Sequence, residues 1–172
     1  MRHLLPFELL AVHSDNGGEF INAHLARYCQ EQQIDFTRTR AYRKNDNNFT
    51  EQKNFDVVRK HVGYVRYDTP EAVALLNELY DRLRLMVNFV RPCAKLIEKT
   101  RHGARVRRRY DRPQTPYQRV LACAEVPEAA KQRLRQQFAA LDPIAVNDQI
   151  VHLQRRLLRL AAQHSTALKK AG

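Results

Sequence analysis

No run of apolar side chains in this sequence approaches the roughly 18 residues that a membrane span requires. The opening Met1-Arg2-His3-Leu4-Leu5-Pro6-Phe7 also lacks the long apolar stretch of a secretion signal. Membrane insertion and export are therefore not expected, and a cytoplasmic location is. Cysteine is scarce: Cys29, Cys93 and Cys123 are scattered, with no Cys or His nearby at zinc-ligand spacing. That excludes a zinc module and leaves three reduced, structural thiols. No internal repeat occurs, so a solenoid is excluded as well. At 172 residues the chain is too short for a large multidomain enzyme and long enough for one modest domain with a helical extension.

Acidic side chains are the other shortage. Eighteen Asp and Glu face thirty Lys and Arg, giving a formal charge of +12 and a pI near 10.1. Such a chain attracts polyanions without regard to their sequence. Nucleic acid is the first partner to consider, with a merely solvated basic surface as the plain alternative.

The pattern of apolar residues organises the rest. Phe7 to Val12 is a short apolar run followed at once by Ser14-Asp15-Asn16-Gly17-Gly18, which predicts a strand ending in a tight turn with Asp15 at the strand end. From Glu19 to Gln33, Ile21, Leu25, Tyr28 and Cys29 recur at helical spacing, and Ile34 to Arg38 reads as a second strand. Ala41 to Asn48 is polar and predicts a mobile loop. Beyond it Glu51, Phe55, Val58 and Val62 follow steps of four, three and four, placing the carboxylate on the apolar face of a helix that Gly63 stops. Asp68-Thr69-Pro70-Glu71 is a strong helix start, and Val73, Leu76, Leu79, Tyr80, Leu83, Met86 and Val87 are available for burial before Pro92. Lys99 to Arg119 carries eight Lys and Arg against one Asp, with two prolines, and reads as a linker or basic arm. A short amphipathic helix follows Pro127. A longer one follows Pro143, where Val146, Ile150, Leu153, Leu157 and Leu160 form a stripe fit either for a partner helix or for its own domain.

Two carboxylates stand out by setting. Asp15 follows an apolar strand and precedes two glycines, and Glu51 lies one turn from apolar positions, where a bare carboxylate is costly unless paired or coordinating. Hard oxygen ligands suit Mg²⁺ or Mn²⁺, and paired metals can stabilise both the attacking and the leaving oxygen of a displacement at phosphorus. The alternative is structural: Asp15 capping a turn or helix, and Glu51 favoured by a helix dipole.

The motif strings sharpen this choice. His13-Ser14-Asp15-Asn16-Gly17-Gly18-Glu19-Phe20 resembles the segment around the second catalytic Asp of retroviral-type integrases and bacterial insertion-sequence transposases. Lys44-Asn45-Asp46-Asn47-Asn48-Phe49-Thr50-Glu51-Gln52-Lys53-Asn54 is similar to the segment around the third acidic residue, and the 35 residues between Asp15 and Glu51 match that superfamily's spacing. Tyr67-Asp68-Thr69-Pro70-Glu71-Ala72, Asn88-Phe89, Arg108-Arg109-Tyr110-Asp111 and Pro113-Gln114-Thr115-Pro116-Tyr117 are similar to the downstream part of some bacterial integrase-core proteins. The resemblance covers roughly residues 5 to 121.

This resemblance implies a ribonuclease-H-like α/β sheet with helices, two bound Mg²⁺ (or Mn²⁺) ions, and DNA, both element ends and target, as substrate. It makes Asp15 the second metal ligand and Glu51 the third, and it implies a bacterial, nucleoid-associated location. The family's first Asp lies on an earlier strand, whereas Glu8 is the sole carboxylate among the fourteen residues before Asp15. The expectation is a truncated core that does not transpose alone and whose strand before Asp15 forms an exposed edge. The division it suggests is 1–92 for a partial catalytic core, 93–122 for a basic linker or arm, and 123–172 for a helical extension, with a homo-oligomer through the last helix as one possibility.

Phosphate contacts are expected from Arg38, Arg40, Arg43 and Lys44 beside the loop, from Lys53, Arg59 and Lys60 on the polar side of the Glu51 helix, and from Arg105, Arg107, Arg108 and Arg109. Tyr110 and Tyr117 are candidates for stacking on exposed bases. The rival to a transposase fragment is a non-catalytic basic protein that binds DNA or oligomerises. A remoter one is an unrelated basic helical protein.

Overall fold

Two short strands separated by one helix open the chain. The computed structural model describes residues 5–14, 23–38 and 54–171, with side chains described as far as residue 163. The protein is mixed α/β and mostly helical, and it divides into two compact units, Met1–Val65 and Arg66–Gly172.

In the first unit, β1 (Ala11–Ser14) and β2 (Asp35–Arg38) pair in parallel, with Ala11 opposite Asp35 and Ser14 opposite Arg38. Parallel pairing needs a crossover, and α1 (Ala23–Glu31) supplies it. The helix reverses through Gln33, whose φ of 53° is left-handed, and the Ile34 N–H then donates to the Cys29 carbonyl at 2.8 Å. This is the usual geometry of a helix end. It turns Cys29 and Ile34, 2% and 5% exposed, inward together. The strand lies later than the apolar run Phe7 to Val12 suggests. Pairing begins where the Asp35 N–H donates to the Leu10 carbonyl at 2.9 Å, and Phe7 and Leu10 stay exposed ahead of it.

The segment approaching Gly63 is a π-helical turn, Asn54–Arg59, followed by α2 (Lys60–Val62). Gly63 ends it at φ 67° and ψ −148°, a backbone region open in practice only to glycine. Of the expected apolar face Val62 is buried and Val58 half-buried, but Phe55 is 50% exposed. The wider hydrogen-bonding step of a π turn breaks the four-three-four phase on which that face was read.

The second unit is built on two long helices. Thr69 caps α3 (Pro70–Leu85), its Oγ1 accepting the Ala72 N–H at 3.2 Å with Pro70 in the first turn. The helix continues as a π-helical stretch, Met86–Val90. Its inward stripe is Ala72, Leu75, Leu79, Leu83, Met86 and Phe89. Leu79, Leu83 and Met86 were expected there, whereas Val73 is 47% exposed and Leu76, Tyr80 and Val87 are only half-buried. α3 packs on α6 (Pro143–Ala171), whose Val146, Ile150, Leu153 and Leu157 are buried as the four-three spacing predicts. The stripe thus meets its own unit. Pro70–Val90, grouped by the sequence reading with the catalytic core, belongs by packing with the C-terminal helices.

Between these helices lie β3 (Leu96–His102) and β4 (Arg105–Tyr110), then α4 (Pro116–Ala122) and α5 (Glu128–Ala139). Phe89, Tyr117 and Phe138 stack in a cluster, with Tyr117 4.8 Å from Phe138 and 5.3 Å from Phe89 between ring centroids. This joins the end of the long helix to α4 and α5. Among the described residues no helix is long and apolar enough to cross a membrane.

Candidate nucleic-acid interface

The segment read as a linker or basic arm is an antiparallel ribbon. His102 pairs with Arg105 across a two-residue turn in which Gly103 takes φ 60°, the positive angle such a hairpin turn demands. From there Arg101 faces Val106, Thr100 faces Arg107, Lys99 faces Arg108 and Glu98 faces Arg109, with a bulge between Leu96 and Glu98. Every β4 residue is exposed, and in β3 only Thr100 is partly covered. An isolated hairpin is marginal in water, so its base has to be held.

Asp111 does the holding. One of its carboxylate oxygens accepts the Lys95 N–H at 2.6 Å and an Arg119 N–H at 3.1 Å, and the other accepts a second Arg119 N–H at 2.6 Å. The Arg119 guanidinium also donates to the Cys93 carbonyl at 2.8 Å, and Cys93 forms a backbone bridge with Gln114. A bidentate fork of this kind fixes orientation as well as distance. Helix α4, which carries Arg119, has a capping box: the Thr115 Oγ1 accepts the Gln118 N–H, and the Gln118 side chain accepts the Thr115 N–H. The hydrogen bonds from Arg119 hold the Asp111 carboxyl below its ordinary value, and the Asp111 partner raises Arg119 in turn.

Paired residues of a ribbon share a face. One face carries Lys99, Arg101, Val106 and Arg108 and no carboxylate. The other carries Arg105 and Arg107 near the turn and, nearer the base, Arg109, whose Nε donates to Glu98 at 3.0 Å. Six cations and one carboxylate on fifteen residues leave the outer ribbon basic on both sides.

Arg105, Arg107, Arg108 and Arg109 are thus together on one strand. Arg38, Arg59 and Lys60 are exposed in the first unit, each with a local partner. Arg38 lies over the Phe36 ring at 5.7 Å, Arg59 over Tyr64 at 4.7 Å, and Lys60 pairs with Asp56 at 2.6 Å. Asp15, Arg40, Arg43, Lys44, Glu51 and Lys53 lie outside the described residues. Asp15 directly follows Ser14, which is 4% exposed and whose Oγ has no partner among the described residues. Among those residues no cluster of three His, Cys, Asp or Glu is placed to hold a metal.

Tyr117 is a packing residue in the Phe89–Phe138 stack, so of the two tyrosines proposed to stack on bases only Tyr110, 53% exposed, is free of such packing. The motif residues Asp111, Gln114, Thr115 and Tyr117 supply the fork, the bridge, the cap and the stack. The sequence reading missed Asp111 and Arg119 as a pair. The available signal was a lone Asp in a basic run, followed eight residues on by an Arg on a strongly capped helix.

The chain is 48% identical over 118 residues, 69% of its length, to the uncharacterized protein y4rM of Sinorhizobium fredii (strain NBRC 101917 / NGR234). The aligned stretch spans 34% of that relative. No family profile and no solved structure matches the chain.

Proposed function

We propose that this chain is part of a DDE, ribonuclease-H-like transposase or integrase, contributing the second and third catalytic carboxylates, Asp15 and Glu51, and binding DNA through its basic surfaces. The observation that carries the reading is the β1–α1–β2 unit. β1 ends one residue before Asp15 and, among the described residues, has a neighbour on its β2 side alone. Parallel strands belong inside sheets covered on both faces, yet Leu10 is 72% exposed and Phe7 45%. These are the marks of a sheet designed to continue, with further strands laid against β1. A parent protein longer than this chain fits the Sinorhizobium relative, of which only 34% is aligned.

In that parent Asp15 and Glu51 hold Mg²⁺ or Mn²⁺, which supplies activation of the attacking oxygen and neutralises charge at phosphorus. The chain's own cations bind the DNA backbone irrespective of sequence. With no first Asp on a neighbouring strand, the chain alone does not cleave or join DNA.

Mn²⁺ titration followed by electron paramagnetic resonance tests the pairing of the two carboxylates. Weak binding that disappears in Asp15→Asn and equally in Glu51→Gln is expected, and binding that survives both substitutions overturns the shared site. In a nicking assay on linear duplex, divalent-metal-dependent cleavage lost in both variants would contradict the inactivity of the chain alone.

A second reading, a non-catalytic DNA-binding or oligomerising protein, is favoured by the exposed ribbon of the second unit, which needs neither carboxylate. DNA binding with no Mn²⁺ site is its signature.

A further inference from the structure

We propose that the β3–β4 ribbon is a duplex-reading arm that enters the major groove of B-form DNA. This deepens the DNA-binding half of the function proposed above and rests on it, while requiring nothing of Asp15 or Glu51.

Four observations favour that occupant over other polyanions. The first is shape: the ribbon is two strands wide and solvated on both faces, and the B-DNA major groove, about 12 Å across, admits a two-stranded ribbon. The second is spacing: alternate side chains of a strand recur about every 6.8 Å, close to two steps of the roughly 3.4 Å rise per nucleotide. Arg105 and Arg107, and likewise Lys99 and Arg101, are such pairs.

The third is what the outer ribbon lacks. From Lys99 to Arg109 it carries no aromatic side chain, and its tip is Gly103-Ala104. Single strands are held by stacking on aromatic side chains, and minor-groove and membrane binders insert large apolar wedges. None of those tools is present at the tip. Duplex RNA is disfavoured because its major groove is too deep and narrow for side chains to read.

The fourth is the base. The Asp111–Arg119 fork and the Cys93–Gln114 bridge hold the ribbon on α4, so its entropy is already reduced before DNA arrives. The face with Lys99, Arg101 and Arg108 has no carboxylate and turns to the groove floor, while Arg105 and Arg107 reach the phosphates beside it.

The test measures binding of the full chain to one labelled sequence, by anisotropy against salt, as duplex DNA, single-stranded DNA and duplex RNA. A fourth probe is duplex DNA whose major groove is filled by bulky pyrimidine 5-substituents. The variant Arg105→Gln/Arg107→Gln/Arg108→Gln spares the Arg109–Glu98 pair, and its fold is checked by circular dichroism. The same three positions changed to Lys keep the charge and guard against a misfolded ribbon.

Expected are preference for unmodified duplex DNA and at least a tenfold loss when the groove is filled. The Gln variant should bind at least tenfold more weakly, with a salt slope shallower by about 3, and the Lys variant should recover most of the affinity. Duplex DNA binding that is unchanged in the Gln variant or by filling the groove overturns the arm and leaves the DNA reading standing. Equal or tighter binding of duplex RNA or single strands also overturns it. A chain that binds no nucleic acid at all sinks both.

Discussion

The two units of this protein solve burial differently. In Arg66–Gly172, the stripe Ala72, Leu75, Leu79 and Leu83 on one helix meets Val146, Ile150, Leu153 and Leu157 on another, and Leu79 reaches 0% exposure. In Met1–Val65, the described apolar residues that are buried are Cys29, Ile34 and Val62, while Phe7, Leu10, Phe55 and Tyr64 are 45% to 77% exposed. Both segments are patterned for a core, but only the second completes one. Helices satisfy their own backbone and need a single covering partner, whereas a parallel sheet needs neighbours at its edges and layers on its faces.

The largest expected effect breaks the completed half. Leu79→Ala empties a fully enclosed site on the α3–α6 seam and should cost about 2–5 kcal/mol. Chemical denaturation followed by helical signal checks it. A loss under about 1 kcal/mol would mean that the seam is not the source of this unit's stability. In hydrogen exchange the β1 and β2 amides should open more readily than those of α3, since few buried apolar contacts hold them. Equal protection in the two units would erase the contrast.

The next effect sharpens the incomplete half. Gly63 has open space around a notional Cβ, so Gly63→Ala meets no clash there and tests backbone conformation alone. At φ 67° and ψ −148° the substitution should cost about 1–3 kcal/mol. Loss of helical signal from Asn54–Val62, with α3 and α6 unchanged, is the expected outcome. Thr69→Ala removes the cap of α3 and should cost the second unit about 1 kcal/mol.

What the sequence made legible follows the same division. The α6 stripe and the Thr69 cap could be read because spacing and capping are local codes. The strand–helix–strand order around Cys29 could also be read, though β1 sits later than its apolar run because a partner strand sets the register. Val73 and Phe55 were misjudged because a helical stripe can be phased one residue either way, and a π turn alters the phase. The β3–β4 ribbon was hidden by charge: it has few aliphatic side chains, and its stability comes from the Asp111–Arg119 fork. The carboxylates Asp15 and Glu51 stand out by motif alone, and both lie outside the described residues.

The smallest effect concerns that fork and is a matter of pH. Arg119 holds the Asp111 carboxyl below its ordinary value, so the folded state binds this proton less readily than the unfolded chain does. The stabilisation is therefore fully present above the ordinary carboxyl pKa, about 3.9, and is lost as pH falls through the lower folded value. On acidification the ribbon's amides should lose protection before those of α3 and α6, whose contact is made by leucine, isoleucine and valine rather than by carboxylates. Asp111→Asn should loosen the ribbon at neutral pH and flatten its acid response, with thermal unfolding of the helices nearly unchanged. Amide exchange between pH 6 and pH 2 reads this directly. A ribbon that opens at the same pH with and without the Asp111 carboxylate would assign its anchoring to the Cys93–Gln114 bridge instead.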